Sequence, residues 1–142
     1  MTSAFGQAAE IERSLELMAK RGDPTAAVYG RLFAEQPQMQ ALFWRDADGA
    51  IKGEMLSRVF EAILDFIGER RYADHMIGCE IVTHEGYDVP REVFATFFRV
   101  VAATARDELG PEWTKPMDAA WRALLAELDA YVRAVPQVGA AA

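Results

Sequence analysis

Residues 56–67 read LSRVFEAILDFI, and their spacing decides the fold. Leu56, Val59, Phe60, Ile63 and Ile67 fall at i, i+3, i+4, i+7 and i+11, which is one face of an α-helix. The same periodicity continues in both directions. Upstream, Ile11, Leu15 and Met18 share a face that Arg21-Gly22 closes, and Asp23-Pro24 starts a helix carrying Tyr29, Leu32 and Phe33 inward. Pro37 opens a short turn that ends at Leu42-Phe43-Trp44, and the polar run Arg45 to Gly53 is expected to be a loop or an irregular short helix.

Downstream, Gly68-Glu69-Arg70-Arg71 ends the long stripe. Ile77, Ile81 and His84 then line a shorter helix closed by Gly86. Pro90 begins another, with Phe94, Phe97, Phe98 and Val101 inward, and Gly110-Pro111 stops it. Thr114 caps the last helix, whose inward residues are Met117, Trp121, Leu124, Leu125, Leu128 and Val132. No run alternates with the period of a strand, and no internal repeat occurs. The reading is an all-α domain of six clear helices plus short pieces, joined by short connections.

Composition agrees with a single domain over residues 1–142, with its core at about 11–133, a short N-terminus and a frayed GAAA tail. The chain is 51% hydrophobic and 26% charged, and its formal charge is −7. That charge repels phosphate backbones and anionic lipid, so neither nucleic acid nor membrane is an expected partner. No apolar run is long enough to span a bilayer, and MTSAFGQAAEIERS lacks the basic and apolar regions of a secretory signal, so a cytoplasmic protein is expected. One cysteine, Cys79, rules out an internal disulfide and a cysteine-based zinc site, and it reads as a buried small hydrophobe.

Two histidines, His75 and His84, exclude a three-histidine metal centre. His75 reads as exposed in the linker after Ile67. His84 points inward, and an inward histidine is either a satisfied core residue or a ligand. Thr83 beside it offers a hydroxyl to the far imidazole nitrogen, which would fix the tautomer and free the other nitrogen for a metal.

Three segments then carry a resemblance. VYGRLFAEQPQMQALF, Val28 to Phe43, spaces Tyr29, Phe33, Pro37 and Phe43; HEGYDVPREVF runs from His84 to Phe94; LGPEWTKPMDAAW ends at Trp121. In this order the chain resembles a globin, specifically the single-domain bacterial globins and the haem domain of flavohaemoglobins. The resemblance implies a globin fold of six to eight helices around a haem pocket. It implies haem b held at its iron by His84, with Phe43 wedged against the porphyrin. Tyr29 would be the distal hydroxyl that hydrogen-bonds a gas ligand, and Val89, Phe94, Phe97 and Phe98 would line the pocket. The absence of a C-x-x-C-H motif implies non-covalent attachment.

The distal helix allows two alignments. An ungapped count back from His84 puts Lys52 over the iron and Leu56 against the ligand, and this count is preferred. A shift of three residues puts Met55 over the iron and Val59 beside the ligand instead. The lysine could swing out to the haem propionates, and the methionine could coordinate the iron.

The chain also departs from the family. The residue four before His84, leucine in the family, is Glu80, so either that helix is rotated or a carboxylate approaches the haem edge and could reach the imidazole. Phe94 stands where flavohaemoglobins have a tyrosine bonded to a glutamate, and no acidic residue lies near Pro136. The resemblance therefore implies a reversible binder of dioxygen, nitric oxide or carbon monoxide, monomeric or homodimeric, with little electron push from the proximal side. Two other readings remain open: a haem-free sensor or interaction domain, and a nitric oxide dioxygenase working with a separate reductase.

Overall fold

The computed structural model describes residues 6–136; the expected fraying of the GAAA tail lies outside them. Six α-helices and two short 3-10 segments follow one another. They are α1 (Ala8–Lys20), α2 (Thr25–Glu35), a 3-10 turn at Pro37–Phe43, α3 (Ala50–Ile67), α4 (Ala73–Gly86), α5 (Arg91–Leu109), a 3-10 turn at Gly110–Glu112, and α6 (Lys115–Ala134). No strand occurs among the described residues.

The helix ends follow from local chemistry. Asp23 accepts the Thr25 amide at 3.0 Å as α2 begins, and Thr114 accepts the Met117 amide at 3.1 Å as α6 begins. The stretch Arg45 to Gly53 is only partly loop, because α3 starts at Ala50. Gly49, at φ +79°, turns the chain into that helix, and glycine enters this conformation without steric cost. The Asp65 carboxylate accepts amides from Arg71, Tyr72 and Ala73 at 3.1, 2.9 and 2.7 Å, so the last turn of α3 caps the first turn of α4. Burial opposes its charge, but these three amides and nearby Arg71 hold its pKa below the ordinary carboxylate value.

Helix α5 is the hub, packed on α1, α2, α4 and α6, while α3 packs on α4 and α2. The core holds Ile11, Ile63, Ile67, Val101, Leu124 and Leu128, all nearly solvent-free. Trp121 packs there too, but it reaches α1 rather than joining only the last two helices: its indole N–H donates to Ser14 Oγ at 2.9 Å. His75 is exposed as expected, although it sits in the first turn of α4 and not in a linker. Cys79 corrects its expectation. It is exposed, because α4 buries Ile77 and Ile81 and turns position 79 outward, where its Sγ lies 3.5 Å from His75 Nε2.

Candidate functional site

The 3-10 turn and helices α2, α3, α4 and α5 leave between them a cavity of about 480 Å³. That falls within the range of roughly 300–1,000 Å³ typical of small-molecule and cofactor sites. Its wall is largely apolar and aromatic. Tyr29, Phe43, Met55, Val59, His84, Val89, Phe94, Phe97 and Phe98 all line it. The cavity thus gathers nine of the residues singled out in the sequence.

Tyr29 comes from α2 and is 2% exposed, wedged among Phe33, Phe43 and Phe97 at ring separations of 5.9, 5.5 and 5.4 Å. Its hydroxyl has no hydrogen-bond partner. The other buried orphan among the described residues is Arg91 Nε, whose neighbouring guanidinium nitrogens are bonded to Val132, Val135 and Glu85. A buried hydroxyl left unmatched costs about 1–3 kcal/mol. Burial pushes the Tyr29 phenol well above its usual pKa and the Asp46 charge adds to the shift, so it remains a donor.

His84 comes from the last turn of α4, half-buried, with the Phe94 ring edge-on at 5.1 Å. Its Nδ1 lies 2.7 Å from the Glu80 main-chain oxygen, one helical turn back. A carbonyl can only accept, so Nδ1 carries the proton and Nε2 keeps its lone pair. Thr83 does not play the part expected of it. Its hydroxyl donates to Cys79 O at 3.0 Å instead of meeting the imidazole. Below His84 the chain turns back sharply. Asp88 adopts φ +63°, and the Val89 amide donates to the His84 carbonyl at 2.9 Å, which brings Val89 under the cavity.

On the distal side the preferred alignment is not the one the geometry brings to the cavity. Lys52 is absent from the wall: its ammonium lies 2.9 Å from Asp46 and 5.3 Å from the Phe43 ring centroid. Leu56 is 2% exposed and packed into the core. Met55 and Val59 face the cavity. The cause is Asp46, which sequence reasoning missed. Its carboxylate accepts the Ile51 and Lys52 amides at 2.9 and 3.0 Å, pinning the start of α3 and the Lys52 side chain together. Burial opposes its charge, yet the Lys52 ammonium and these amides keep its pKa low.

Arg45, Arg58, Met76 and Tyr87 also line the cavity without having been placed there, and Glu80 lines it as one of the two alternatives for that position requires. Met76, Glu80 and His84 stand at i, i+4 and i+8, a second face of α4 beside the Ile77/Ile81 stripe. Counting back from His84 in fours would have found it.

The globin family model matches residues 26–132, from the first turn of α2 to near the end of α6. The chain belongs to the globin family. No curated protein and no solved structure matches it. Among the described residues no cluster of three His, Cys, Asp or Glu could hold a bare metal ion. Haem iron brings its porphyrin ligands with it, so the single imidazole at this cavity is a sufficient protein ligand for it. The residues fit that group. They offer His84 Nε2, flat aromatic walls, an unmatched buried hydroxyl, and Arg45 for an acidic substituent.

Proposed function

We propose that this globin holds haem b non-covalently through His84 Nε2 and binds a small diatomic gas reversibly. The observation that carries the reading is the pair of unspent polar atoms on one apolar cavity: the Tyr29 hydroxyl and His84 Nε2. Held by His84 Nε2, haem would supply an iron able to bind dioxygen, nitric oxide or carbon monoxide.

The chain's own residues do the rest. The bond from His84 Nδ1–H to Glu80 O sets the tautomer and the ring orientation. Phe43, Phe94, Phe97 and Phe98 present flat surface to the macrocycle and keep water from it. Tyr29 offers one O–H donor to a ligand that gains negative charge, a bond worth about 1.5–3 kcal/mol with a charged acceptor. No helix among the described residues is long and apolar enough to cross a membrane. A catalytic cycle on the same cavity would draw its electrons from a separate reductase.

The test is an absorption spectrum of the purified, haem-supplied protein. A Soret band in the wild type that is lost, or moved to a different ferrous coordination, in His84→Ala supports the reading. An identical ferrous spectrum in that variant overturns the role of His84, and a wild type that retains no haem overturns the reading itself.

A further inference from the structure

We propose that the Glu80 carboxylate is a positioning residue for His84, strengthening it as an electron donor, and that Arg58 of α3 sets how much of that charge the imidazole feels. The inference rests on the haem reading above.

Glu80 meets His84 twice. Its main-chain oxygen takes the Nδ1 proton at 2.7 Å, a bond that helix geometry would offer with any residue at position 80. Its side chain is what this chain adds: Oε2 lies 3.6 Å from the same nitrogen. That is too long for a hydrogen bond but close enough for a charge to act through space. An anion beside Nδ1–H polarises the imidazole and makes Nε2 a stronger electron donor, the same effect a charged acceptor gives other metal-bound histidines. The surroundings leave this contact little competition. Thr83 spends its hydroxyl on Cys79 O, and the Phe94 ring covers another side of the imidazole without offering an acceptor.

The carboxylate is itself partnered. Its Oε1 lies 3.9 Å from the Arg58 guanidinium, which also reaches Glu54 at 3.5 Å. Arg58 and Glu80 both line the cavity. The contact therefore links the helix bearing Met55 and Val59 to the helix bearing His84. When Arg58 draws on Glu80 more strongly, the imidazole receives less of the negative charge. The phenylalanine at 94 removes one route to an electron-rich proximal ligand, and Glu80 supplies another from within α4.

The experiment compares haem-loaded wild type with Glu80→Gln, Arg58→Gln and the double variant. The readouts are the iron–histidine stretching frequency of the ferrous five-coordinate protein by resonance Raman, and the midpoint potential. Glutamine keeps the shape of Glu80, so a purely structural role would move neither. The expected result is a lower stretching frequency and a higher potential in Glu80→Gln, and the opposite shifts in Arg58→Gln. In the double variant the frequency should match that of Glu80→Gln. An unchanged frequency in Glu80→Gln, or an Arg58→Gln shift that persists without Glu80, overturns the proposal. The wild-type Soret band separates the two failures. Its absence removes the haem reading and this inference together, whereas its presence with an unmoved stretching frequency removes this inference alone.

Discussion

The packing of α1 against α5 and α6 and the cavity between α2, α3, α4 and α5 handle buried polar atoms in opposite ways. In the first region the polar atoms pair within the packing: Ser14 Oγ donates to Ile11 O and accepts the Trp121 indole N–H. In the second, the Tyr29 hydroxyl is left without a partner, and Phe94, Phe97 and Val59 are only partly covered. The difference teaches where the chain places its stability: one side of α5 packs closed, and the other lines an apolar cavity with an unmatched donor.

The largest expected effect tests the closed side. Trp121→Ala should destabilise the haem-free protein by about 3–5 kcal/mol, because it opens a cavity and strands Ser14. Phe97→Ala should cost clearly less, since its ring is already partly uncovered. Urea denaturation of both haem-free variants measures this, and equal losses would break the contrast between the regions.

Tyr29→Phe should sharpen the contrast by moving stability and function in opposite directions. Removing an unmatched buried hydroxyl should raise the stability of the haem-free protein by about 1 kcal/mol. In the haem-loaded protein it should speed dioxygen dissociation roughly ten- to hundredfold, the loss of about 1.5–3 kcal/mol. Carbon monoxide, less polar when bound, should respond much less. Flash photolysis and stopped-flow mixing give both rates, and equal changes for the two gases would mean that Tyr29 acts by packing.

The smallest effect lies at the α3–α4 junction. Asp65→Asn should cost about 1 kcal/mol at neutral pH, typical of a lost cap. The folded pKa of Asp65 lies below its ordinary 3.8, so its contribution is complete above that value. It is lost as pH falls through the lower folded pKa. The gap between wild type and variant should therefore shrink as the pH is lowered below about 4. A gap independent of pH would show that the carboxylate's charge does not matter there.

Helical spacing alone turned Tyr29, His84, Phe94, Phe97 and Phe98 inward, and the resemblance to a globin implied that they meet Phe43 and Val89 at one pocket. The distal pair was not legible. Leu56 and Val59 lie three apart on one stripe, so a shift of three residues leaves the periodicity intact. Asp46 escaped for a different reason: it sits in a polar run before α3, where a buried capping carboxylate looks like any loop aspartate until its amide partners are known. The exposure of Cys79 was hidden because position 79 lies off both the buried Ile77/Ile81 stripe and the cavity-lining Met76/Glu80/His84 face of α4.

By itself the sequence determined that the chain is all-helical, where most helices begin and end, and that His84 and Tyr29 face inward. These are consequences of local spacing and of proline, glycine and capping side chains, which act within a few residues. Only the tertiary structure decided that Met55 and Val59, rather than Lys52 and Leu56, face the cavity. Only the structure decided that Glu80 rather than Thr83 attends the imidazole. Both outcomes depend on the rotation of one helix about its own axis against its neighbours. Spacing along the chain leaves that rotation open, and the packing of Leu56 into the core together with the Asp46 cap sets it for α3.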